Sequence, residues 1–120
     1  MAKILVVDDA AFMRLMLKNI LESNGHEVVG EAADGLQSLT KYEQLKPDLV
    51  TMDIVMPQLD GIEATREIIH NYPDAKIIMC TAVGQQAKVL EAMKAGAKGY
   101  IIKPFQAPKV VEEINKVLKA

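Results

Sequence analysis

At 120 residues the chain has room for one domain, residues 1–120, and little for a second. Half of its residues are hydrophobic and a quarter are charged. The net charge of −2 provides no basic footprint for nucleic acid or an anionic membrane. The single cysteine, Cys80, excludes an internal disulfide, and no apolar run reaches the length of a membrane span or a signal-peptide core, so the expectation is a cytoplasmic protein.

Five apolar runs punctuate the chain, at Ile4–Val7, Val28–Val29, Leu49–Met52, Ile77–Cys80 and Tyr100–Ile102. Helix-like segments alternate with them, which predicts an α/β domain with a parallel sheet. Four runs are nearly continuous, as strands buried on both faces are. The second, within His26–Ala32, is more polar and is placed at the sheet edge.

The first helix carries Met13, Met16, Leu17, Ile20 and Leu21 on one face, with Asp9 expected as its N-cap and Gly25 just past its end. The second is predicted over Gly35–Leu45, ahead of Pro47. The third follows Asp60-Gly61 and stops before Pro73. The fourth lies between Gln86 and Ala95, with Gly96 as its stop. The fifth presents Val110, Val111, Ile114, Val117 and Leu118 as one stripe. The 120 residues contain no low-complexity tract and no recognisable output domain.

The polar residues at the ends of these strands carry the chemistry. Asp8 and Asp9 follow the first strand, Asp53 ends the third, Thr81 the fourth and Lys103 the fifth. In a parallel sheet all strand C-termini share one edge, and ligands of open α/β sheets bind there, where the strand order reverses. Three carboxylates, a hydroxyl and an ammonium therefore converge. Crowded carboxylates repel unless a cation compensates, and an all-oxygen donor set selects a hard ion, best Mg²⁺, one per chain. An aspartate carboxylate beside such an ion can take a phosphoryl group, with a lysine and a hydroxyl on its oxygens.

The motifs Val6-Val7-Asp8-Asp9, Met52-Asp53-Ile54-Val55-Met56-Pro57, Asp60-Gly61, Thr81-Ala82 and Lys103-Pro104-Phe105 resemble those of the bacterial response-regulator receiver domain, in order and over the whole chain. Asp8–Arg14 and Lys103–Ala107 resemble its chemotaxis branch in particular. The resemblance implies a single doubly wound, flavodoxin-like sheet of five parallel strands in the order 2-1-3-4-5 with five helices. It also implies a phosphoacceptor at Asp53, metal ligation by Asp8, Asp9, Asp53 and the Val55 carbonyl, and phosphoryl contacts from Thr81, Ala82 and Lys103. Asp8 would act mainly through metal-bound water. Thr81 and Tyr100 match the switch pair, and Lys103-Pro104 matches a cis peptide bond. The implied function is a phosphorylation-activated switch of a two-component system, monomeric and without external enzymatic turnover. Its phosphodonor would be a CheA-like histidine kinase, and its further partner a flagellar motor switch protein or a phosphatase. A free-standing receiver in another phosphorelay, or a phosphate sink, is the alternative within the family.

Two readings from other classes fit less well. A phosphohydrolase of the haloacid dehalogenase type needs a second aspartate two residues after its nucleophile, where this chain has Val55. A flavin-binding domain of similar fold needs a phosphate-cradling loop after the first strand, where Asp8 and Asp9 would repel it. In the family, the positions two after Asp53 and two after Thr81 tune attack by water; Val55 and Val83 cannot orient a water, which predicts slow self-dephosphorylation. Lys98-Gly99 departs from the acidic-aromatic pair of close relatives. Phe12 and Leu15 flank the core face of the first helix and are expected to help dock the kinase's phosphodonor domain. His26 and His70 lack metal-ligand spacing and read as surface histidines. Cys80 reads as a buried, inert thiol and the methionines as core filler.

Overall fold

The computed structural model describes residues 1–120. The elements run β1 (Lys3–Val7), α1 (Ala11–Ser23), β2 (Glu27–Ala32), α2 (Gly35–Leu45), β3 (Leu49–Asp53), α3 (Gly61–Asn71), β4 (Ile77–Ala82), α4 (Gln86–Lys94), β5 (Gly99–Lys103) and α5 (Ala107–Lys119). The strands pair in parallel in the order β2-β1-β3-β4-β5, the doubly wound architecture expected from the alternating pattern.

The period of two along each strand divides the core into two layers. Leu5, Val7, Val50, Met52, Ile77 and Met79 face one side and pack under α2, α3 and α4. Ile4, Val6, Leu49, Ile78, Cys80 and Ile101 face the other, under α1 and α5. On α5 the stripe buries Val110, Ile114 and Val117, at helical spacing.

Local chemistry explains most helix boundaries. Asp60 caps α3 by accepting from Glu63 N at 2.9 Å, and Asp34 caps α2 by accepting from Gln37 N at 2.8 Å. Gly25, at φ +86°, follows the C-cap of α1, and Gly96, at φ +117°, ends the turn after α4. The Lys103–Pro104 bond is cis.

Three expectations are corrected. The N-cap of α1 is Ala10, not Asp9; the carboxylate that folds back is that of Asp8, which accepts from Ala10 N at 2.9 Å. β5 is not covered on both faces. It is an edge strand, with Ile101 buried and Tyr100 and Ile102 each 46% exposed. Finally, His26 is buried rather than on the surface, and its Nδ1 accepts from Ala2 N at 3.1 Å, fastening the start of the chain beside β2.

A candidate phosphoryl site at the strand ends

The parallel register determines which residues meet. Val7 pairs with Met52 across β1 and β3, so Asp8 follows beside Asp53. Asp53 pairs with Cys80, which puts Thr81 one step beyond it, and Ala82 pairs with Lys103. The strand order reverses at β1, so the crevice between β1 and β3 is the place a ligand of this architecture occupies. Carboxylate oxygens of Asp8, Asp9 and Asp53 lie there within 4.8 Å of one another.

Lys103 reaches across the end of β4 to both neighbours. Its Nζ donates to Asp8 Oδ2 at 2.8 Å and lies 3.3 Å from Asp53 Oδ1. Asp8 is thus fully engaged, with one oxygen on Ala10 N and the other on Lys103. Asp9 is exposed, and no group of the protein bonds its carboxylate. Such a donor set, all oxygen, with one arm free and one committed, suits a hard cation that keeps part of its water.

Electrostatics are unbalanced at Asp53. Burial, and then the charge of Asp8, raise its carboxyl to about 6, although the Lys103 ammonium pulls the other way. For Lys103, burial works to lower the ammonium, but the hydrogen bond to Asp8 and the charges of Asp53 and Asp8 outweigh it, and the net direction is up. Lysine therefore stays charged, and the site retains uncompensated negative charge around the buried Asp53 carboxylate. Behind it, burial pushes the Cys80 thiol far above its ordinary range.

Backbone packing holds Asp53 in place. Gly61 N donates to Ile54 O at 2.7 Å, and a Cβ on Gly61 would collide with the Asp53 carbonyl. Only glycine lets the start of α3 close on the end of β3.

Thr81 is buried, and its hydroxyl donates to Gln85 Oε1 at 2.9 Å. Ala82, exposed, closes β4. Val55 and Val83 project apolar side chains at the mouth, 60% and 76% exposed. The Val55 carbonyl takes no hydrogen bond within the protein. On α1, Phe12 and Leu15 are exposed at 69% and 54%.

Sequence reasoning missed two side chains here. The Arg14 guanidinium donates to the Asp8 carbonyl at 2.6 Å and bonds Glu31 at 2.9 Å, tying α1, β2 and the acidic loop together. Gln85 holds the Thr81 hydroxyl. Neither could be found by periodicity, because none of these bonds lies within one regular element.

Residues 4–115 match the family model "Response regulator receiver domain", and the chain belongs to that family. It is 59% identical to the chemotaxis protein CheY of Thermotoga maritima over 117 residues, 98% of each chain. It is also 59% identical to CheY of Bacillus subtilis over 116 residues, 97% of each. Among solved structures it is similar to the CheX–CheY–BeF3–Mg complex of Borrelia burgdorferi, with a TM-score of 0.92 and 35% identity over 96% of this chain and 87% of that one. The chain is a two-component receiver closely matching CheY, a signalling protein rather than a classical enzyme.

Proposed function

We propose that this chain is a phosphorylation-activated chemotaxis switch that accepts one phosphoryl group on Asp53 from a CheA-like histidine kinase. The observation that carries the reading is the buried Asp53 carboxylate, clustered with Asp8 and Asp9 and touched by the Lys103 ammonium. A carboxylate oxygen of Asp53 forms the new P–O bond. The donor's bond to phosphorus breaks, and the leaving imidazole keeps the electron pair. Lys103 offsets charge on the transferred group, and Thr81, with the backbone at Ala82, supplies donors to it.

Asp9, Asp53 and the Val55 carbonyl would hold Mg²⁺, with Asp8 acting through water. The ion would offset the carboxylates and polarise a phosphoryl oxygen. The Borrelia relative's complex with BeF3, a tetrahedral phosphoryl mimic, and Mg supports this assignment. In our reading the receiver acts as one unit, residues 1–120, and as a monomer. Tyr100 shares the switch with Thr81. The exposed Phe12–Leu15 flank docks the phosphodonor domain, and a motor switch protein or a phosphatase takes the phosphorylated form; the Borrelia complex shows a second protein, CheX, bound to a relative of this chain. The apolar Val55 and Val83 make self-dephosphorylation slow; Val55→Asn is expected to speed decay of the phosphorylated protein, and an unchanged rate would remove this part.

The test of the whole is incubation with acetyl phosphate, followed by intact mass. One added phosphoryl group that requires both Mg²⁺ and Asp53, and is lost in Asp53→Asn, is the expected result. No addition in the wild type from either acetyl phosphate or a phosphorylated kinase domain would reject the assignment.

A further inference from the structure

Resting on the reading that Asp53 takes a phosphoryl group, we propose that Gln85 is a positioning residue. By accepting the Thr81 hydroxyl's hydrogen bond, with 2.9 Å between the two oxygens, it competes with the phosphoryl oxygens for that proton and sets how readily the site is occupied.

The argument begins with one proton. A threonine hydroxyl has a single hydrogen to donate. Here it is directed to Gln85 Oε1, with the Ala82 carbonyl at 3.3 Å as a poorer acceptor. Thr81 lies one residue past the partner of Asp53 and next to the strand that brings in Lys103. A phosphoryl group on Asp53 places charged acceptor oxygens at this edge, and a charged acceptor makes the stronger bond. The Thr81 proton cannot serve both acceptors, so occupancy of the site requires the Gln85 bond to open.

Opening it has a structural consequence because of where Gln85 stands. It is the residue immediately before α4, and its carbonyl accepts from Val89 N as the helix's first acceptor. No side chain caps this helix start. Gly84 precedes it at φ +91°, with open space where a Cβ would be, so the loop before α4 has room to rearrange. Beside it lies a groove of about 370 Å³ lined by Gln85, Val89, Leu90, Met93, Tyr100 and Ile102. Release of Gln85 therefore unfastens the helix start that borders half-exposed Tyr100.

The test measures binding of fluoroberyllate with Mg²⁺ by calorimetry, which needs no turnover, in the wild type, Gln85→Ala, Gln85→Asn, Thr81→Val and Thr81→Val combined with Gln85→Ala. The shorter Asn keeps the amide but falls short of Thr81. A hydroxyl–amide bond of ordinary strength predicts about fivefold tighter binding for both Gln85 single variants. In the Thr81→Val background, Gln85→Ala should change nothing, since the competing proton is gone. Unchanged or weaker binding in both Gln85 variants, with wild-type binding intact, would overturn the role of Gln85 alone. So would a gain that persists without the Thr81 hydroxyl. Absence of Mg²⁺-dependent binding in the wild type itself would overturn the phosphoryl reading and this proposal with it.

Discussion

Helices α3 and α4 share one face of the sheet, yet they are attached to it differently. α3 buries Gly61, Ile62, Ala64, Thr65 and Ile68, is capped by Asp60, and carries Glu63 in its first turn, where it complements the helix dipole. α4 fully buries Ala92 alone, has no side-chain cap and no acid in its first turn, and leaves Leu90 exposed. α3 closes on the carbonyl of Asp53, while α4 starts from the residue that holds Thr81. Burial is concentrated beside the Asp53 carboxylate and is sparse in the helix whose start bonds the Thr81 hydroxyl.

The strongest challenge to this contrast is truncation of each helix. Ile68→Ala should cost about 2–5 kcal/mol in chemical denaturation, as buried large-to-small changes do. Leu90→Ala should stay within about 0.5 kcal/mol. Equal losses would mean that α4 is anchored as firmly as α3.

The next effect lies in the charge that the firm side restrains. The folded Asp53 carboxyl, at about 6, sits above the ordinary carboxylate value, so the folded state holds this proton more tightly than the unfolded chain does. Its stabilising contribution is full below pH ~4 and is lost as pH rises through ~6. Asp53→Asn should therefore be more stable than the wild type at pH 7, by up to about 3 kcal/mol in chelator, with the difference closing towards pH 4. A flat difference across that range would mean that burial does not strain this acid. Smallest of the three, Asp60→Ala should cost about 1 kcal/mol by removing the cap of α3. Amide exchange read in parallel should show the α4 amides opening more easily than those of α3 in the wild type.

Much of this was legible from residue order. The boundaries of α2 and α3 follow from Gly35, Pro47, Asp60-Gly61 and Pro73, which act locally. The convergence of Asp8, Asp53, Thr81 and Lys103 follows from the strand-helix alternation alone. What was not legible depended on tertiary context. Tyr100-Ile101-Ile102 reads the same whether one face or two are covered, and only the position of β5 at the sheet edge decides. With two adjacent acids before α1, the sequence does not say which turns back on the helix. His26 looks like any exposed imidazole until Ala2 N is found against it. Arg14 and Gln85 act on their neighbours across loops whose paths no period describes.

The buried sulfur of Cys80 has a practical consequence. It sits on the strand position paired with Asp53, yet burial keeps it a thiol, closed to alkylating reagents and to mild oxidants. Towards thiol chemistry the folded chain is expected to behave as though it had no cysteine, which titration with a thiol reagent checks. A cysteine introduced by Leu90→Cys would accept a fluorescent or spin label there and nowhere else, so the environment of α4 could be compared with and without a phosphoryl group without first removing the native residue.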